Sequence, residues 1–248
     1  MNKSASRLVV GLCATLVFAS SASAYVLLNP PRKWFSTPRV VHVDNRGLSS
    51  VNDGSNGVNA AVGAVEAWNN APGGPVISVT DGQSNGGLPT LGDGISDLYF
   101  GDPLGSCAGS CIAATYTGFY STGQSGTCGS LNVVAITDSD IVFNLAYNYT
   151  TVAETDGCAS EIYLEAVVTH EVGHLIGLGH SSVSSALMAP SLSYCINKPL
   201  ASDDTSGRNA LYNCSGGGGC TPPGGGCTSN GQCCSGSCKG KPGRKTCR

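Results

Sequence analysis

Apolar positions along this chain fall into short segments of two different periods. Val40, Val41 and Val43 surround His42 in a β-branched run that predicts an opening strand. Val58, Ala61, Val62, Val65 and Trp68 then recur at helical spacing, and Pro72-Gly73-Gly74-Pro75 predicts the stop of that helix. Val76–Val79, Leu98–Phe100, Ala113–Thr117 and Ile141–Phe143 read as strands separated by Gly, Asp and Ser clusters. A second helix is predicted from about Glu161 to Leu175, with Ser160 as its N-cap and Glu161 in the first turn. A third begins at Ser202, capped by that hydroxyl, carries Asp203 and Asp204 in its first turn and ends near Tyr212. Strands and one helix precede two helices, so the expected body is α+β.

One apolar run has another meaning. Lys3 and Arg7 give a positive start, Leu8 to Phe18 is nearly unbroken, and Ala22-Ser23-Ala24 supplies small residues for cleavage. Residues 1–24 are therefore expected to be a signal peptide cleaved after Ala24. The run is shorter than the roughly 20 residues a spanning helix needs. Cys13 lies within it behind Leu12, where lipid attachment would call for a small residue. No other segment is apolar and long enough to cross a membrane as a helix. The expected product is secreted and extracellular, without stable membrane insertion.

Cysteine usage fits that compartment. Of 13 cysteines, all but Cys13 lie beyond the signal segment, and an even number suits an environment where disulfides persist. Cys107, Cys111, Cys128, Cys158, Cys195 and Cys214 are spread widely, whereas Cys220, Cys227, Cys233, Cys234, Cys238 and Cys247 crowd together. Ser215 to Gly219 between the groups reads as a flexible linker. The chain is thus divided into a body at 25–214, a Gly-rich linker at 215–219 and a small domain at 220–248. Charge follows the division: 16 acids and 6 bases in the body, no acid and five bases after residue 214. The 35 glycines and 12% charged residues suit a loop-rich extracellular protein better than a helical bundle.

Candidate chemistry is concentrated in His170-Glu171-Val172-Gly173-His174-Leu175-Ile176-Gly177-Leu178-Gly179-His180. Residues four apart share a helix face, so His170 and His174 can present two imidazoles to one ion. Glu171 lies one step round the helix, beside the ion without having to bind it. Gly177 tolerates the left-handed conformation that ends a helix, a bend that would return His180 to the same ion. Three neutral nitrogens leave one position for water, as in catalytic rather than structural sites. Helical histidines four apart are often ordinary surface residues; the third histidine and the bend glycine make the pattern specific. His42, the fourth histidine, is read as a solvent-facing strand residue.

The segment from His170 to His180 resembles the long zinc signature of the metzincin peptidases, and Met188 sits where that clan has its methionine turn beneath the metal. Ser181, Ala186-Leu187-Met188-Ala189-Pro190 and the segment from Ser202 to Tyr212 narrow the resemblance to matrixins. It spans roughly residues 40–212, most strongly 166–212. The resemblance implies a metzincin-type catalytic domain with a twisted mixed sheet and three helices. It implies one catalytic Zn2+ on His170, His174 and His180, and Glu171 as general base in the hydrolysis of internal bonds in protein or peptide substrates. Ala166, Pro190 and Leu192 match specificity-pocket positions, Leu192 replacing a tyrosine common in matrixins. Calcium is a second cation of this family, and the acidic loop residues Asp138, Asp140, Glu154 and Asp156 suit it as well as they suit turn capping. Two departures are expected. Only residues 25–39 precede the first strand and none is cysteine, so no propeptide with a cysteine switch is anticipated; nor are there histidines for a second, structural zinc.

Six cysteines in the small domain allow fifteen connectivities. The central Cys233-Cys234 doublet and the spacing around it resemble knottins, which implies Cys220–Cys234, Cys227–Cys238 and Cys233–Cys247. Three bridges would hold a segment too short to build an adequate core. In the body, Cys195 and Cys214 flank the third helix and are expected to pair, leaving Cys107–Cys111 with Cys128–Cys158 as the favoured remainder. Knottin folds often serve as toxins, inhibitors or adhesion modules, so a catalytically idle carrier is the competing expectation; the intact histidine set speaks against it. The basic tail is expected to face an anionic surface or the acidic body, although simple solvation accounts for its charge equally well. Nothing in the sequence points to nucleic acid or to an oligomer, and a monomer is expected.

Overall fold

The computed structural model describes residues 24–49, 51–71, 76–81, 88–119, 123–152, 158, 160–214, 226–228, 237–241 and 244–247. Residues 1–23 of the expected signal peptide (1–24) and the expected linker at 215–219 lie outside them. Seven strands form one mixed sheet: β1 (Arg32–Lys33), β2 (Arg39–Val43), β3 (Ile77–Asp81), β4 (Ser96–Tyr99), β5 (Ala113–Phe119), β6 (Ser125–Cys128) and β7 (Leu131–Phe143). The spine is β7, 13 residues long. Its first half pairs with β1 in parallel and with β6 antiparallel; its second half pairs with β4 in parallel and with β5 antiparallel. β2 lies parallel to both β3 and β4. Parallel neighbours need crossovers, and the first is α1 (Val58–Asn70) between β2 and β3. Among the described residues β5 pairs with β7 alone, and none of their strands lies on its other edge.

The predicted strand at 141–143 is only the end of β7. Asn132, Thr137, Asp138, Ser139 and Asp140 interrupt the apolar pattern and hide the rest. Yet β7 is buried nearly throughout its second half, as befits a strand with neighbours on both sides.

Two further helices complete the body, α2 (Leu164–Leu175) and α3 (Ser202–Tyr212). α2 packs on α1 and across β5 and β7. Trp68, Leu98, Ile141, Leu164, Val168 and Val172 are fully buried in the shared core. Trp68 also donates from Nε1 to the Thr169 carbonyl at 2.7 Å, fastening α1 to α2 near the histidines. Gly57, the N-cap of α1, has φ 78°, a conformation that side chains rarely adopt, and a Cβ there would lie 2.5 Å from the end of the Leu164 side chain.

Three expectations are corrected. α2 begins at Leu164, with Tyr163 at its N-cap, and not at Glu161 behind Ser160. Ile162–Tyr163 is instead a strand, β9, paired in parallel with β8 (Tyr149–Thr150), which holds the chain extended just before the helix. α3 is preceded by Ala201 rather than capped by the Ser202 hydroxyl, and the Asp204 carboxylate accepts from the Ala201 N–H at 2.7 Å. The third correction concerns the body disulfides. Cys107–Cys111 forms, but Cys128 bonds to Cys214 and Cys158 to Cys195, in place of Cys128–Cys158 and Cys195–Cys214. Cys214, at the end of α3, meets the turn of the β6–β7 hairpin, while Cys195 is drawn to the approach of α2, where its N–H donates to the Glu161 carbonyl.

Beyond residue 219, β10 (Cys238–Lys241) and β11 (Arg244–Cys247) form an antiparallel pair, and Cys227 is bonded to Cys238. Cys220, Cys233 and Cys234 lie outside the described residues, and with them the implied pairings Cys220–Cys234 and Cys233–Cys247. No helix among the described residues is long and apolar enough to cross a membrane.

Candidate metal centre

α2 carries His170 and His174 on one face, and Gly177 ends its last turn. At φ 107° this residue occupies a region that side chains disfavour, and a Cβ would fall 2.1 Å from the Arg32 carbonyl oxygen. Beyond it, Leu28 N–H donates to the Gly177 carbonyl and Gly179 N–H to the Val26 carbonyl. The N-terminal segment thus straps the returning chain in place. His180 emerges from this strap, and one ring nitrogen from each of the three histidines lies within 4.8 Å of the others. His42 stands on β2 outside this group.

The histidines are oriented through their other nitrogens. Nδ1 of His170 lies 2.8 Å from the Leu187 carbonyl, and Nδ1 of His174 lies 2.8 Å from the Leu178 carbonyl. A carbonyl only accepts, so both Nδ1 atoms carry the proton and both Nε2 atoms bear lone pairs. Those two Nε2 atoms are 3.1 Å apart. With no proton between them they do not hydrogen-bond; two lone pairs facing at this separation suit a shared cation. Tetrahedral zinc with nitrogen ligands spaces them by about 3.3 Å. Burial lowers the pKa of all three histidines, that of His170 to about 3, keeping the rings neutral and ready to coordinate. The donor set therefore fits zinc.

Met188 is buried beneath the histidines. Its sulfur reaches so close to α2 that a Cβ on Gly173 would be 2.2 Å from it. Glycine between the two metal-facing turns is what lets the methionine nest against the helix. Asp204 holds this turn from below: its carboxylate accepts from Leu187 N–H at 2.8 Å and Met188 N–H at 2.9 Å, as well as from Ala201. Ser181, next to His180, donates from its hydroxyl to Asp203 at 2.6 Å, and Asp203 also accepts from the Ala24 N–H. Asp203 and Asp204 entered the sequence reading only as helix-end charges; their acceptor roles depend on a turn that arrives from elsewhere in the chain.

Glu171 lies on α2 beside the histidines with its carboxyl pushed up to about 7 by burial, and the hydroxyl of Thr115 on β5 draws it back down. Thr115 donates to Oε2 of Glu171 at 2.6 Å, a contact that no sequence signal marked. His170, Glu171 and His180 border a cavity of about 220 Å3 whose other walls include Val167, Pro190 and Leu192. Of the three expected pocket residues, Pro190 and Leu192 border this cavity and Ala166 does not; Ala166 is buried, and Val167, one helical turn before Glu171, lines the wall instead. Ser110, Cys111, Ile112 and Ala113 close the opposite side, so the Cys107–Cys111 loop stands at the rim.

The acidic candidates are arranged otherwise than expected. Asp138 and Asp140 are buried on β7, not in a loop, and Glu154 and Asp156 lie outside the described residues. Asp140 accepts from Asp97 N–H and Asp138 from Gly92 N–H, while Oδ2 of Asp140 and Oδ1 of Asp138 have no hydrogen-bond partner among the described residues. Burial, reinforced by the neighbouring carboxylates, raises Asp140 to about 7. Between the ordinary aspartate value of about 3.9 and that pKa, the folded chain keeps a proton that the unfolded chain releases, so stability falls as pH rises. In chelator-treated protein, the unfolding free energy of the unmodified chain relative to that of Asp140→Asn is expected to decline from about pH 4 to pH 7 and then level off. Denaturant titrations of the two proteins across pH test this; a difference that does not change with pH would exclude the contribution of Asp140.

Comparison with known proteins follows the same residues. Residues 118–213 match the matrixin family of peptidases. Metalloendoproteinase 5-MMP of Arabidopsis thaliana is 51% identical over 63 residues, covering 24% of this chain and 18% of its own length. Human matrix metalloproteinase-19 is 46% identical over 59 residues, 23% of this chain and 12% of that protein. The hatching enzyme of Paracentrotus lividus is 44% identical over 68 residues, 27% of this chain and 12% of its own. The chain thus spans less than a fifth of the length of these curated relatives.

Proposed function

We propose that this chain is an exported, zinc-dependent endopeptidase of matrixin type that hydrolyses internal bonds of protein or peptide substrates. The observation that carries the reading is the meeting of three neutral imidazoles and a buried carboxylate at one end of a substrate-sized cavity. His170, His174 and His180 would hold the metal. Zinc, when bound, supplies a Lewis acid for a substrate carbonyl and makes water more acidic. Glu171 takes the proton of the attacking water and returns it to the departing amine, a task suited to a carboxyl whose pKa lies near neutrality. The edge of β5 that pairs with no described strand offers backbone groups to an extended peptide, and the cavity behind Pro190 and Leu192 receives one of its side chains.

The finer parts of the reading have their own support. Export rests on the Lys3-to-Ala24 pattern and on the disulfides, which suit an oxidising compartment. A knottin-like domain at 220–248 agrees with the Cys227–Cys238 bond and the β10–β11 pair. Calcium is the cation we assign to Asp138 and Asp140, whose buried oxygens without hydrogen-bond partners are hard donors; its addition should counter the pH-dependent decline described above. The peptidase reading is tested by incubating the zinc-loaded protein with a library of internally quenched peptides. Cleavage that a chelator abolishes is the expected result, and a zinc-loaded protein without cleavage would refute it.

A further inference from the structure

The Thr115 hydroxyl stands beside the carboxyl of Glu171. Thr115 sits near the middle of β5, opposite Ile141 of β7, and its side chain projects towards α2. Its Oγ1 is 2.6 Å from Oε2 of Glu171 and 3.0 Å from the backbone carbonyl oxygen of the same residue. Among the described residues no other group hydrogen-bonds to the Glu171 carboxylate. A hydroxyl has one proton to donate and can also accept. Between two acceptors of one residue it can donate to only one at full strength.

On the peptidase reading above, we propose that Thr115 is a positioning residue for the general base. Its hydroxyl pins Oε2 and leaves Oε1 as the oxygen that exchanges protons with water and the leaving amine. A proton taken up at Oε1 leaves the bond between Thr115 and Oε2 in place, so the carboxyl group keeps one orientation while Oε1 faces the water. No covalent bond changes at Thr115.

Three variants isolate the hydroxyl. Thr115→Val keeps shape and strand preference but loses the donor; Thr115→Ser keeps the donor; Thr115→Ala removes both. A hydrogen bond to a charged group of this kind makes an expected fall in kcat of about tenfold or more in Thr115→Val, with KM within about twofold. Thr115→Ser should recover most of the lost rate. Affinity for a peptide hydroxamate, measured by calorimetry on zinc-loaded protein, should weaken by about tenfold in Thr115→Val, because that ligand also hands its proton to Glu171. Zinc content should match the unmodified protein, and the thermal midpoint of Thr115→Val should fall by only a few degrees, the cost of one lost hydrogen bond. Unmodified kcat in Thr115→Val, or a Thr115→Ser variant as slow as Thr115→Val, would overturn the proposal. Failure of the unmodified protein to cleave any peptide would instead refute the peptidase reading. The calorimetry then decides the role of Thr115, and equal hydroxamate affinities would end it.

Discussion

Glu171→Gln should reduce kcat/KM by roughly three orders of magnitude or more while the protein still binds one zinc ion, as expected when a general base is replaced by an isosteric amide. The amide fills the same volume and still accepts from the Thr115 hydroxyl at its carbonyl oxygen, so neither the fold nor the three imidazoles is disturbed. What is lost is the ability to take a proton. Steady-state kinetics with metal analysis of the same sample checks both halves. Near-normal turnover would remove Glu171 from the mechanism; loss of zinc would mean that the carboxylate holds the site together and does not act on water.

Asp204→Ala should be the most damaging single change outside the metal ligands. Asp204 is 1% exposed and accepts from three backbone N–H groups: Leu187, Met188 and Ala201. Alanine would leave all three without their acceptor, in a place that water reaches poorly. The expected loss is about 3–5 kcal/mol, or a thermal midpoint lower by about 10 °C for a body of this size. The damage should travel. The Leu187 carbonyl fixes the tautomer of His170, so a loosened turn should also speed zinc release. Thermal unfolding and zinc dissociation into a chromogenic chelator test this together. A variant with normal stability and normal zinc release would show that α3 does not support the centre.

These two residues mark what a sequence can and cannot show. Glu171 was legible because its partners are local: a helix of period 3.6 brings His170 and His174 to one face, and Gly177 signals the bend before His180. Met188 and Pro190 were legible through a motif. Asp204 was visible only as a charge at the start of a helix, since the groups it serves come from a turn 16 and 17 residues away. Thr115 gave no signal at all; it is one polar residue in a strand, and its partner is 56 residues distant. The body disulfides failed for a related reason. Nearness in sequence found Cys107–Cys111, but Cys128 and Cys214 are 86 residues apart and meet only because β6 runs beneath the end of α3. Strand β7 was underestimated because its polar residues mask an interior strand, and the start of α2 was misplaced because β8 claims the residues just before it.

One zinc ion on His170, His174 and His180 is proposed to make this chain a peptidase, and titrating zinc into chelator-stripped protein while recording cleavage of an internally quenched peptide puts this to the test. Activity should rise in proportion to bound zinc and stop at one equivalent per chain, and His180→Ala should show no such rise. Cleavage that persists in fully stripped protein, or one bound equivalent of zinc that brings no cleavage, would contradict it.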